Sequence, residues 1–263
     1  MEKEKTLTKM RTLTALALYQ KDLSADWVAE GLTNNKNLAF LKAWCVNQDP
    51  EKILSKLVDN TTLQYLQMER NGFGPVNCKW VGELMKKNKG IIEIVLDHNE
   101  FGDIGCEIII NSLLENSTLL HLEMSSNGIS DIGCKHVANY LTKMNTLQLI
   151  SLGGNNITDE GAKFIAESLK HNSTLKTINL WGNKIGDEGA FALAEALKSN
   201  SSIKEITLYN NCIGDAGLKA IFSALETTKN ITKISIERNM FSKAAAEPIK
   251  EWAKKRPDIS LRI

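Results

Sequence analysis

A repeat of 28 residues constrains this chain more than any other feature of its sequence. Apolar residues at the first, fourth and sixth positions, with asparagine at the ninth, recur in LQYLQMERN from Leu63, IIEIVLDHN from Ile91 and LLHLEMSSN from Leu119. The pattern continues in LQLISLGGN from Leu147, LKTINLWGN from Leu175, IKEITLYNN from Ile203 and ITKISIERN from Ile231. Two shorter units of 25 residues begin at Leu13 and Leu38, and the stub ISLRI closes the chain. Internal repetition at such a period is the signature of a solenoid, in which one supersecondary unit is stacked on the next.

Each unit carries its own physical logic. Alternating apolar residues such as Leu175, Ile178 and Leu180 predict a short strand facing a core. Asn183 stands where the chain leaves the strand, and its amide can satisfy backbone groups that no ladder partner reaches. GDEG or TDEG then opens a helix. Ser130 and Thr158 are suited to N-caps, and Asp131 and Asp159 to the positive end of the helix dipole. Pro75 suits a first helical turn. Ile185, Leu193, Ala194 and Leu197 form a helical apolar stripe. One such unit cannot bury its apolar faces alone, whereas stacked units can.

The phrase LxxLxLxxNxIxDxGAxxLAxALxxN resembles the leucine-rich repeat of the ribonuclease-inhibitor type. That resemblance covers residues 13 to about 258 and implies an α/β fold: a curved solenoid with parallel strands on the concave face and helices on the convex face. The expected organisation is a single domain over 1–263. Residues 1–62 form an N-terminal cap and two short repeats, 63–230 six regular repeats, and 231–263 a C-terminal capping repeat and final strand. The terminal segment NMFSKAAAEPIKEWAKKRPD loses the Asp-x-Gly turn and gains Pro248 and Trp252, as an end unit with a different outer face requires.

The formal net charge of +1 gives no global attraction to nucleic acid or membranes. No apolar run is long enough to span a bilayer, and no signal peptide is evident. Five dispersed cysteines favour free thiols and a reducing, cytoplasmic compartment. Cys78, Cys106 and Cys134 recur at the repeat interval, in one column of successive helices. Helices pack about 8–10 Å apart, so this column does not converge on a metal and reads as buried small residues. Cys45 and Cys212 lie near strand ends. The sequons at Asn60, Asn116, Asn172 and Asn200 follow from the repeat's need for asparagine at the helix end. His121 beside Glu93, with Asp97 and Glu123 close by, reads as a polar surface patch. No cofactor, metal or catalytic set is expected.

An enzymatic alternative rests on ERNGFGP at 69–75, which is similar to a stretch in Ran GTPase-activating proteins. In that family an essential arginine lies one repeat before the N-x-F-G-P turn. The matching unit, 38–62, contains no arginine, and none occurs between Arg11 and Arg70. The acidic tail of that family is also missing.

The third, fifth and seventh strand positions are expected to face the concavity. They gather two aromatic groups: Tyr19, Phe40, Trp44 and Tyr65 near the N-terminus, and Trp181 with Tyr209. Between them lies an acidic zone of Glu69, Glu93, Asp97 and Glu123, with Arg70 as its local counter-charge. Aromatic anchors beside charge are what protein interfaces use. The candidate partner-binding residues are therefore Trp44, Tyr65, Glu69, Glu93, Asp97, His121, Glu123, Trp181, Tyr209 and Glu237. The expected function is a monomeric, non-enzymatic scaffold binding a protein partner with a basic segment. The Lys- and Asn-rich composition points to a bacterial or protist effector delivered into a host cell. The alternatives from the same repeat class are a Ran-type activator, a ribonuclease inhibitor and the ligand-sensing domain of an innate immune receptor.

Overall fold

The alternation of apolar residues becomes a strand of three or four residues in every repeat of the computed structural model. The structure describes residues 12–19, 25–33, 35–44 and 49–263, and its contacts gather into two units, Met1–Asn127 and Gly128–Ile263. In the first unit the described elements are β1 (Ala15–Leu18), α1 (Ala25–Leu32), β2 (Phe40–Ala43), α2 (Pro50–Leu54) and β3 (Tyr65–Gln67). A 3-10 turn (Pro75–Asn77) leads into α3 (Cys78–Lys87), followed by β4 (Glu93–Val95), α4 (Gly102–Leu113) and β5 (His121–Glu123). Each strand pairs in parallel with the next. Phe40 stands opposite Ala15, Tyr65 opposite Phe40, Glu93 opposite Tyr65 and His121 opposite Glu93.

The second unit runs α5 (Asp131–Lys143), β6 (Leu149–Ser151), α6 (Asp159–Leu169), β7 (Thr177–Asn179), α7 (Asp187–Ser199) and β8 (Glu205–Thr207). It ends with α8 (Asp215–Thr227), β9 (Lys233–Ser235), α9 (Lys243–Ala253) and β10 (Ser260–Arg262). Its register keeps the repeat period: Leu149, Thr177, Glu205 and Lys233 lie side by side, and Ser260 completes the row. The stub ISLRI therefore supplies the final strand.

The core sits between strands and helices. Leu175, Ile178 and Leu180 are fully buried with Ile185, Leu193, Ala194 and Leu197. Burying one such leucine or isoleucine contributes roughly 1.5–3 kcal/mol, and every repeat supplies several. Cys78, Cys106 and Cys134 are buried in this layer. Burial pushes the Cys78 thiol up to about 12, and raises that of Cys106 as well, so neither offers a thiolate near neutral pH. Cys45 lies outside the described residues.

Three polar ladders recur between neighbouring repeats. At the strand end, the Asn183 amide donates to the carbonyls of Leu152 and Leu180 at 3.0 and 3.1 Å. Its Oδ1 accepts the N–H of Ile157 at 3.1 Å. At the helix end, Asn200 donates to Leu169 at 2.7 Å and Asn172 at 2.9 Å, and accepts from the N–H groups of Ser202 and Ile203. Asn116 and Asn172 are buried in the same way. The amides of these three sequons are thus hydrogen-bonded inside the fold rather than offered to modification.

The third ladder gives the Asp-x-Gly turn a meaning beyond the helix dipole. Ser130 and Thr158 do cap their helices, accepting from Ile132 and Glu160. Asp159, however, reaches into the following repeat. Its Oδ1 accepts the N–H groups of Gly186 and Gly189 at 2.7 and 2.8 Å. Asp187 does the same for Gly214 and Gly217. Asp131 takes the N–H groups of Thr158 and Gly161 and the Thr158 hydroxyl. The glycine is needed because a Cβ at Gly189 would lie 2.7 Å from the Asp159 carboxylate oxygen, and one at Gly161 2.4 Å from that of Asp131.

The terminal departures from the repeat pack against the repeat before them. Trp252 of α9 packs edge-on against Phe222 at 5.1 Å. Arg256 lies over the Trp252 ring at 5.2 Å and pairs with Asp258 at 2.7 Å.

Candidate interaction surface

In the first unit the strand face carries one aromatic side and one acidic side. β1 and β2 end in Tyr19 and Trp44, whose rings meet edge to face at 6.1 Å. Both are exposed. Phe40 and Tyr65, opposite one another in register, meet with their rings tilted by 41° and their centroids 6.4 Å apart. The Arg70 guanidinium lies over Trp44 at 6.0 Å. Arg70 was expected to counter the acidic zone, but Lys42 takes that part, pairing with Glu69 at 3.1 Å. Register explains this: Lys42 stands beside Gln67 at the end of β3, within reach of Glu69 just past that end, while the backbone of Arg70 has turned to a positive φ of 55. The sequence signal was available, since Lys42 precedes Gln67 by one repeat in the column beside Glu69.

The acidic side follows on β4 and β5. His121 Nδ1 lies 3.1 Å from the Glu93 carboxylate, as their column predicts. Asp97 accepts the N–H of Ser125 at 2.7 Å. Burial pushes the Glu123 carboxyl up to about 6, and the charges of Asp97, Glu93 and Glu69 push it the same way, against the opposing pull of His121. Burial also raises Asp97, offset by the Ser125 N–H, with Glu69 raising it further. Both carboxyls are raised first by burial and further by neighbouring carboxylates, and a nearby cation would favour their ionised forms. Not every expected outward position is open, because Val95 and Ser125 are buried. Among the described residues no group of His, Cys, Asp and Glu is arranged to hold a metal ion.

In the second unit Trp181 and Tyr209 occupy neighbouring repeats. Trp181 is half-buried because its indole lies on Gly153, where an added Cβ would stand 2.0 Å from Nε1. Part of a ring expected to serve as an interface anchor thus covers the preceding repeat. Arg238 lies over Tyr209 at 5.3 Å. Glu237 accepts the Ser235 hydroxyl at 2.6 Å, which ties it down locally. Glu205 pairs with Lys233 at 2.9 Å. Ser151 and Gly153 are buried, so this face displays less than its columns suggested.

Residues 134–252 match the family described as the TMOD/LMOD leucine-rich domain, and residues 115–138 match a leucine-rich repeat. The chain is a protein of leucine-rich repeats. Among solved structures it is similar to the leiomodin-1 actin-binding site 2, with 21% identity and a TM-score of 0.41, over 51% of this chain and 84% of that one. It is also similar to the tropomodulin C-terminal domain of Caenorhabditis elegans, with 11% identity and a TM-score of 0.48, over 70% of this chain and 99% of that one. No curated protein matches the chain.

Proposed function

We propose that the chain is a non-enzymatic scaffold, built on 28-residue repeats of the ribonuclease-inhibitor type, that captures a protein partner on its strand face. The observation that carries this reading is the pairing, in the first unit, of exposed Tyr19 and Trp44 and half-buried Tyr65 with the carboxylates of Glu69, Glu93, Asp97 and Glu123. Strand packing needs no aromatic ring on that side, and large aromatic side chains are the commonest anchors of protein interfaces. The carboxylates favour a partner segment rich in Lys or Arg and speed its encounter at low salt. Trp181 and Tyr209 form a second aromatic group on the strand side of the other unit. Within this reading the scaffold acts as a monomer, in a cytoplasm or as an effector delivered into a host cell.

The test compares wild type with Trp44→Ala/Tyr65→Ala and Trp181→Ala/Tyr209→Ala as bait in a pull-down from cell lysates. Purified actin is included because the leiomodin structure above is of an actin-binding site. Circular dichroism first establishes that each variant folds. The reading expects partners lost from the Trp44/Tyr65 variant and capture that weakens as salt rises. Folded variants that keep every partner would sink it.

A further inference from the structure

One edge of the second unit, where each helix ends and the next strand begins, carries more lysine than its local chemistry asks for. It comprises residues 143–149, 170–177, 198–205 and 226–233. Lys170 and Lys198 stand at the ends of α6 and α7, where the helix dipole favours a cation. They also pair with carboxylates, Lys170 with Glu167 at 2.6 Å and Lys198 with Glu195 at 2.7 Å. Lys233 pairs with Glu205 at 2.9 Å. Lys143, Lys176, Lys204 and Lys229 are exposed and have no carboxylate partner among the described residues. Against these four stands Glu226, the one carboxylate of the four segments outside an ion pair.

Lys176 and Lys204 are the pair that local chemistry explains least. Each immediately precedes a strand, beyond the reach of the dipole of the helix before it. Register sets Thr177 beside Glu205, so the two lysines stand on neighbouring strands about 4.8 Å apart. The Lys204 N–H donates to the Lys176 carbonyl at 2.7 Å. Like charges side by side in a sheet cost stability. The Lys176 ammonium donates instead to the Gln148 amide oxygen at 2.8 Å, one repeat earlier and on the side away from Lys204. Gln148 holds the same position of its own repeat, so an uncharged side chain is accepted there. Exposed Ser173 and Ser201 precede the two lysines by three residues each.

We propose that this edge binds an acidic, extended segment of a partner protein, separately from the strand face. Charge complementarity selects the sign of the occupant, and the composition of the edge selects its class. The four segments contain no Arg, Trp, Tyr or Phe, so the edge offers none of the rings or guanidinium planes on which bases stack. Among its described residues no large apolar side chain is exposed, so it has nothing to insert into a lipid surface. Lysine presents a point charge on a flexible stem, which suits carboxylates at loose spacing. An extended segment advances roughly 3.3 Å per residue. Carboxylates on alternate residues therefore come within reach of lysines on successive repeats, and Ser173 and Ser201 offer neutral hydrogen bonds between them.

The test uses two fluorescein-labelled 12-residue peptides, one alternating glutamate with serine and the other lysine with serine. An oligothymidylate of equal negative charge and phosphatidylserine vesicles are titrated in parallel. Anisotropy compares wild type, Lys176→Gln/Lys204→Gln and the strand-face variant Trp181→Ala/Tyr209→Ala. Lys176→Gln/Lys204→Gln installs the residue that an earlier repeat already carries, and its thermal midpoint is expected to equal or exceed that of wild type. Expected are at least tenfold tighter binding of the glutamate peptide than of the lysine peptide, weakening as salt rises, and a fivefold or greater loss in Lys176→Gln/Lys204→Gln. The strand-face variant keeps its affinity. The proposal is overturned if wild type does not bind the glutamate peptide, or if the folded lysine variant binds it as well as wild type does. Tighter binding of the oligothymidylate or the vesicles than of the glutamate peptide overturns it in favour of nucleic acid or membrane. A wild-type dimer in sedimentation that the lysine variant disperses overturns it in favour of a second copy. Loss in Trp181→Ala/Tyr209→Ala alone would move the peptide to the strand face and remove the edge as its site.

Discussion

The indole of Trp181 rests on Gly153 so closely that a single methyl group at position 153 would occupy the place of the ring. Gly153→Ala must therefore displace Trp181 or shift a strand, at a cost of about 1–3 kcal/mol. In a Trp181→Ala background the same substitution is expected to cost little. Urea denaturation of the four proteins of this cycle measures the coupling. Equal costs in both backgrounds would mean that the ring does not depend on the glycine.

Asp159 holds two N–H groups of the next repeat through one oxygen. Asp159→Ala leaves both without their acceptor and is expected to destabilise by about 2–4 kcal/mol. Asp159→Asn keeps an oxygen acceptor in place and is expected to lose less than half of that. Chemical denaturation separates the two variants, and an alanine variant as stable as wild type would contradict the ladder.

Thr228 stands where other repeats place the helix-end asparagine, and its buried hydroxyl has no partner among the described residues. Asn230 partly substitutes, donating to the carbonyls of Asn200 and Ile203 at 3.2 and 2.7 Å. Thr228→Asn is expected to stabilise by about 1 kcal/mol, because it exchanges an orphaned hydroxyl for a bonded amide. A lower thermal midpoint would show that the Asn230 arrangement is the better one.

Glu123 binds its proton up to about pH 6 in the fold, above the ordinary 4.5. Its raised value favours the folded state below about 4.5, and that contribution is lost as pH climbs toward 6. Glu123→Gln is therefore expected to flatten the stability profile across that window. A cationic partner favours the ionised form, so capture of a lysine-rich segment by the strand face should strengthen several-fold from pH 5 to 7. Denaturation and anisotropy at matched ionic strength measure both effects. A wild-type profile already flat between 4.5 and 6 would remove the basis of this expectation.

The turn at Asn71–Pro75 resembles that of Ran GTPase activators, but the preceding unit lacks arginine. The purified chain is expected to leave Ran GTP hydrolysis at its intrinsic rate. A clear stimulation would overturn the argument from the missing arginine.

Strands, helices, caps and the buried cysteine column were legible in the sequence because each follows from a period and a local preference. Ser130 and Thr158 cap as their chemistry dictates, and His121 meets Glu93 because register keeps one column beside the next. The Asp159 carboxylate was not legible in the same way. Aspartate in a first helical turn already has a sufficient local explanation, and nothing local points to the next repeat. The clue lay in the recurrence of Gly161, Gly189 and Gly217, which is costly inside a helix unless something occupies the space of a Cβ. Likewise Gly153 in a strand column signalled that a neighbour, Trp181, leans on it. Close approaches of that kind appear in sequence only as an unexplained small residue, whereas the Lys42–Glu69 pair follows from register and was there to be read in the repeat columns.

The ladders of Asp159, Asn183 and Asn200 have a consequence for how such a chain can change length. The bonds of these ladders that cross from one repeat to another join positions 26 to 31 residues apart, so duplication or deletion of one whole unit returns every donor to an acceptor. A gap of a single codon triplet within a unit would instead mismatch the ladders on both sides of it. Gene lineages carrying this wiring are therefore expected to grow and shrink by whole repeats.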